Sequence, residues 1–178
     1  AGEEAYYDQP QRSPETASLY EHCARAIRHG LRFGSHHLPL MGCGDWNDGM
    51  NLVGKDGQGE SVWLAWFLVE NLELFADLAR TRDDLDFAGL CSVQAAQLRD
   101  NIEAHAWDGG WYRRAYFDDG TPLGSASNDE CQIDSISQSW AVISKGGDAD
   151  RARQAMMAVE QRLVRHDKQI IQLLDPPF

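Results

Sequence analysis

Met41-Gly42-Cys43-Gly44-Asp45-Trp46-Asn47-Asp48-Gly49-Met50-Asn51 gathers two carboxylates, an indole, two amides and three glycines into one short stretch. Each type has a use at a ligand. Glycine lets the backbone turn sharply or approach a ligand closely. Trp46 offers a flat apolar face with a polar edge. Asp and Asn can grip hydroxyl groups. A sugar ring has an apolar C–H face and a hydroxyl rim, so this mixture suits a carbohydrate. A carboxylic acid beside it could protonate a glycosidic oxygen. Asp45 and Asp48 allow one proton donor and one sugar clamp. A second reading stands beside this one: Asp and Asn also populate loops because they bond their own backbone. A calcium loop is disfavoured. Counted from Asp45, Met50 sits where an EF-hand needs its glycine, and Asp56 falls at the closing acid position.

Composition narrows the partners. The chain has 178 residues, is 43% hydrophobic and carries a formal net charge of −12. One sizeable core is within reach. The charge argues against nucleic acid or an anionic membrane surface as the main partner. Cys23, Cys43, Cys91 and Cys131 are far apart with no CxxC pair, which points to free thiols in a reducing compartment and away from a zinc site. No apolar run reaches membrane-spanning length. The acidic N-terminus is unlike a signal peptide. The missing initial Met, and an end at Asp175-Pro176-Pro177-Phe178, lead us to expect one partial domain over 1–178, cut at both ends.

Five helices are predicted to position this segment. Ser13-Pro14-Glu15 reads as a helix start, followed by Tyr20, Cys23, Ala24, Ile27 and Leu31 at helical spacing. A glycine-rich loop runs from about Gly34 to Gly59, a length that usually carries function. A helix from Glu60-Ser61 to about Arg80 follows. Its first half, Val62 to Val69, is apolar all round and is expected to be enclosed. Asp83-Asp84 can cap a third helix with Ala88, Cys91, Ala95, Leu98 and Ile102 on one face. Trp111 to Phe117 reads as a short strand turning at Asp118-Asp119-Gly120. Asp134 opens a fourth helix and Asp148 a fifth. Long and short connections alternate, so the long ones should gather at one end of the helices. Asp45, Trp46 and Asp48 should lie there, near the loop from Asp118 to Asp129.

Three sets of residues resemble glycoside hydrolase family 94: Leu38 to Gly42, Gly44 to Asn51, and Gly57 to Leu64. That family contains cellobiose and chitobiose phosphorylases, 1,2-β-oligoglucan phosphorylases and the C-terminal part of cyclic β-1,2-glucan synthases. Trp111 to Gly120, Asn128 to Ile136 and Gln138 to Val142 look like its synthase and oligoglucan branch, the synthase most of all. The end, Leu173 to Phe178, is similar to the stretch before a later active-site segment. The resemblance implies an all-α fold, a segment of an (α/α)6 toroid, with a short hairpin-like insertion. It implies inverting phosphorolysis of β-linked glucans, with release of glucose 1-phosphate, or the reverse synthesis. Inorganic phosphate is then the co-substrate and no cofactor or metal is needed. It places the segment, as a soluble part, on the cytoplasmic side of a bacterial inner-membrane parent, whose other domains are its partners.

Carried over residue by residue, the aspartate ending Trp-Asn-Asp makes Asp48 the general acid, and Trp46 lines the sugar site. Phosphate is already anionic, so one carboxylic acid suffices where a hydrolase needs an acid and a base. Asp45, Asn47, Gln138 and Arg113 complete the expected substrate contacts. Arg113 and Arg114 would face opposite ways on a strand, so at least one is structural. Trp63, Trp66, Phe67 and Trp140 read better as core than as a sugar-stacking stripe. Trp111 and Tyr112 are even between the two. His36 and His37 read as solvated loop residues. The rival functions are a glucan-binding scaffold without chemistry and a hydrolase on the same fold. An incomplete ring would leave apolar surface exposed and the isolated chain inactive.

Overall fold

The structure is a computed structural model of the chain, in which residues 9–45 and 48–178 are described. It divides into two compact units, Ala1–Gly30 and Leu31–Phe178. The first contributes helix α1, Leu19–Gly30. The start predicted at Ser13 is not used. Ser13 Oγ accepts only the Glu15 amide two residues on, and Ser18 caps the helix by accepting from Glu21 N at 3.2 Å. Both serines offer the same local chemistry, and the chain uses the one next to the apolar face.

The second unit holds α2 (Val62–Thr81), α3 (Leu85–His105), α4 (Ser135–Ile143) and α5 (Ala149–Arg162). The predicted caps hold each start. Ser61 Oγ accepts from Leu64 N, Asp84 from Phe87 N, Asp134 from Ile136 and Ser137 N, and Asp148 from Asp150 and Arg151 N. These bonds satisfy amides that have no partner inside the helix. The face predicted for α3 is the buried one: Ala88, Cys91, Ala95, Leu98 and Ile102, joined by Phe87. It packs along α2, and α4 packs on both α2 and α5. Helix α2 is not enclosed all round. Phe67, Leu74 and Leu78 remain exposed on it, as do Val142 and Ile143 on α4.

Short strands stitch the connections together. β1 (Glu60–Ser61), β2 (Ala115–Tyr116) and β3 (Pro122–Leu123) form one antiparallel sheet, with Ser61 opposite Ala115 and Ala115 opposite Leu123. β4 (Ile133–Asp134) pairs with β7 (Leu174–Asp175), and β5 (Val164–Arg165) pairs with β6 (Ile170–Ile171). The strand predicted over Trp111 to Phe117 shrinks to β2 because its backbone changes partner at almost every residue. Tyr112 N bonds the Gln138 side chain, Arg113 N the Ala106 carbonyl, and Arg114 N the Leu123 carbonyl.

The two long connections meet at the start of α2 and α4. Met41, Met50, Val53, Ala115, Leu123 and Cys131 form a buried apolar cluster between them, with Phe117 and Leu174 against it. The end of the chain reaches the same place, since Cys131 N donates to Pro176 O and Ser135 N to Leu173 O.

Candidate functional site

The loop that carries the acidic motif is held at several points. Its first anchor is Asp45. Arg114 grips this carboxylate with two parallel bonds, Nη2 to Oδ1 and Nη1 to Oδ2, both 2.8 Å. Ser61 Oγ donates to Oδ2 at 2.6 Å while accepting the Leu64 amide, so one hydroxyl serves both the loop and the cap of α2. The Asp45 and Arg114 side chains are fully buried. Such two-pronged charged bonds fix orientation as well as distance.

Arg114 has a second acid beside it. Its Nε lies 3.6 Å from Asp134 Oδ2, and that carboxyl too is fully buried. Asp134 Oδ1 caps α4. Burial pushes the Asp134 carboxyl above its usual range, against the pull of Arg114 and the helix amides. Burial also opposes the Arg114 charge, but the Asp45 bond and the fields of Asp134 and Asp45 outweigh it and leave the guanidinium more basic than usual. The Cys131 thiol nearby is pushed up to about 12 by burial and by Asp134.

The other anchors lie further along. Met50 and Val53 are buried in the apolar cluster. The Asp118 carboxylate accepts the amides of Asp56, Gln58 and Gly59 at 2.8–2.9 Å. These bonds, Asp56 first, hold its carboxyl below the usual range. Gly59 is required there: a Cβ would come within 2.5 Å of the Val53 carbonyl oxygen. Glu60 is buried and accepts the His36 and Leu38 amides, and its Oε2 meets His36 Nδ1 at 2.5 Å. His36 stacks on Tyr116 with ring centres 3.8 Å apart, so it is not the solvated loop histidine expected.

Asp48 opens a 3-10 turn, Asp48–Met50, between the Asp45 and Met50 anchors. Trp46, Asn47 and the Asp48 side chain lie outside the described residues. Gly49, Met50, Leu52 and Val53 line one side of a cleft of about 170 Å³, faced by Phe117, Leu123 and Phe178. A second cleft of about 350 Å³ shares those last three residues and adds Asn128, Asp129 and Glu130. Aromatic faces next to amide and carboxylate groups suit a sugar ring, with apolar C–H contact on one side and hydroxyl partners on the other.

Three of the expected contacts have partners inside the fold. Asp45 spends both oxygens on Arg114 and Ser61. Gln138 is fully buried; its Oε1 accepts from Tyr112 N, and its Nε2 donates to the carbonyls of Tyr112 and Asp134. Arg113 donates to Asp108 Oδ1, to the His105 carbonyl and to the Tyr116 hydroxyl. Each has its polar atoms committed inside the fold, where the alternative is an unpaired buried group. Trp111 is likewise engaged, donating to the carbonyls of Gly124 and Gln132. Arg114 was missed as the hub. The signal was an arginine alternating into the face of an apolar strand, where a charge requires a buried partner.

Among the described residues no cluster of His, Cys, Asp and Glu could hold a metal ion, and no helix is long and apolar enough to cross a membrane. The four cysteines are free.

Comparison with known proteins places the chain in a family. The chain is 48% identical over 178 residues to the cyclic beta-(1,2)-glucan synthase NdvB of Rhizobium meliloti (strain 1021), covering 99% of the chain and 6% of that protein. It is 34% identical to a 3-O-beta-D-glucopyranosyl-beta-D-glucuronide phosphorylase of Paenibacillus borealis, over 93% of the chain and 21% of the relative. It is 32% identical to an N,N'-diacetylchitobiose phosphorylase of Vibrio proteolyticus, over 91% of the chain and 20% of the relative. The chain therefore spans about a fifth or less of these relatives. The model of the glycosyl hydrolase 94 superfamily, catalytic domain, matches residues 1–178. The chain belongs to that superfamily, as part of its catalytic domain.

Proposed function

We propose that this chain is part of a catalytic domain that performs inverting phosphorolysis of β-linked glucans, β-1,2-linked above all. Asp48 is the general acid, and Trp46 and Asn47 contact the sugar. The observation that carries the reading is the position of the Asp48–Met50 turn. It stands between two buried anchors, beside a cleft lined by Phe117, Leu123 and Phe178. The names of the relatives, a β-1,2-glucan synthase and several phosphorylases, supply the linkage and the reaction type.

In this reaction the Asp48 carboxylic acid gives its proton to the glycosidic oxygen as the bond to the anomeric carbon breaks. Phosphate attacks that carbon from the opposite face. The products are glucose 1-phosphate and a glucan one sugar shorter, and Asp48 is left as carboxylate. Run in reverse, the carboxylate accepts a proton from the acceptor hydroxyl. The fold in which this happens is read as an (α/α)6 toroid. α2/α3 and α4/α5 are two of its helical hairpins, and the rest of the polypeptide closes the ring. The activity, the phosphate contacts and the remaining domains belong to that complete polypeptide.

The test is glucose 1-phosphate release from β-1,2-glucan and phosphate by the complete polypeptide. Asp48→Asn is expected to lower it on the order of a hundredfold or more, with glucan binding retained. Turnover that needs no phosphate would mark a hydrolase, and glucan binding without turnover a scaffold. A near-normal Asp48→Asn variant would remove the acid assignment.

A further inference from the structure

We infer that Asp45 and Arg114 are positioning residues for Asp48. The inference rests on the reading of Asp48 as the acid. Asp45 lies three residues before Asp48 in the same loop. Its carboxylate is held by the two-pronged Arg114 bond and by Ser61, all fully buried at the start of α2. Beyond Asp48, Met50 is buried in the apolar cluster with Val53, Ala115 and Leu123. Asp48 is thus carried on a short span whose two ends are fixed. Arg114 is itself referenced to a second helix through Asp134, which caps α4. The clamp therefore registers the loop against the starts of both α2 and α4.

A buried ion pair is a costly way to gain stability, because desolvation of the two charges cancels much of their attraction. What a two-pronged arginine bond adds beyond an apolar contact is orientation. A general acid needs that. A displacement of about 1 Å can cost on the order of a hundredfold in rate. Two donors on two oxygens hold the Asp45 carboxylate against rotation, and Ser61 adds a third bond.

The experiment uses the complete polypeptide, with Asp45→Asn and Arg114→Lys. Asp45→Asn keeps one acceptor oxygen and loses the charge. Arg114→Lys keeps the charge and loses the fork. Each is assayed in phosphate on two substrates, β-1,2-glucan and a nitrophenyl β-glucoside. The nitrophenolate leaves without protonation, so a defect in acid catalysis shows on glucan and largely disappears on the aryl glucoside. A general loss of fold or of binding affects both. The expected result is a kcat on glucan lowered on the order of a hundredfold, with KM changed less than about threefold and the aryl glucoside rate lowered less than about tenfold. Asp48→Asn should show the same split. Equal loss on both substrates, a change in KM alone, or unchanged kinetics would overturn the inference. So would failure of both variants to fold, since the pair would then be structural glue. If Asp48→Asn spares the aryl glucoside and the clamp variants do not, the clamp inference alone fails. If Asp48→Asn itself loses equally on both, the acid assignment falls and the clamp falls with it.

Discussion

Replacing Arg114 by methionine tests how far one cation holds the loops together. The side chain is fully buried between Asp45 and Asp134, themselves fully buried. Arg114→Met keeps much of the volume and removes the charge, leaving two carboxyl groups out of water with no counter-charge. Breaking a buried pair this way costs about 3–5 kcal/mol. A chain of this size holds about 5–15 kcal/mol in all. The expected fall in melting temperature is roughly 6 to 20 °C. The deficit should depend on pH, and its sign follows from the direction of the shift. Burial already raises the Asp134 carboxyl above its ordinary 3.8, and removing Arg114 takes away the main opposing field. A carboxyl raised in the folded state favours folding below its unfolded value, and that advantage is lost as pH rises through the folded value. The variant's deficit should therefore be smallest below the unfolded value and grow as pH rises through the raised folded one. The Cys131 thiol, pushed up to about 12, does not titrate in this window. Urea unfolding followed by circular dichroism at pH 5 and pH 7.5 measures both effects. A variant within about 1 kcal/mol of the parent at pH 7.5, or a deficit that does not shrink at pH 5, would refute the electrostatic account.

Two further outcomes follow from the same connections. Gln138→Leu removes the side-chain partner of two buried backbone groups, Tyr112 N and Tyr112 O, each costing about 1–3 kcal/mol if left unpaired. Its melting temperature should fall by at least several degrees, whereas a substrate contact would leave stability unchanged. Asp118, held by the amides of Asp56, Gln58 and Gly59, should titrate by carbon NMR below the usual carboxylate range. Its contribution to stability is present above its unfolded value and lost as pH falls through the lower folded one. Asp118→Asn should therefore flatten the acid limb of the unfolding curve.

The sequence by itself determined the helices and the starts of α2 to α5. Ser61, Asp84, Asp134 and Asp148 cap α2 to α5 because a cap is settled within three residues, by a side-chain oxygen and an amide on the same turn. The buried face of α3 followed from its spacing for the same reason. Where local chemistry offered two answers it misled: Ser13 and Ser18 are equally good caps, and only the second stands next to α1. That the motif falls in a long connection between α1 and α2 was also legible, since glycines clustered in sequence interrupt helices. The partners of its side chains were not. Asp45, Arg113 and Gln138 each carry groups equally able to hold a sugar hydroxyl or a partner inside the protein. Asp45 finds Arg114 sixty-nine residues away, and Gln138 finds Tyr112 twenty-six away. β4 meets β7 only because the end of the chain returns to Asp134. These partners are chosen by which long-range pairing leaves the fewest buried polar groups unmatched, and that is a property of the whole fold rather than of any stretch within it.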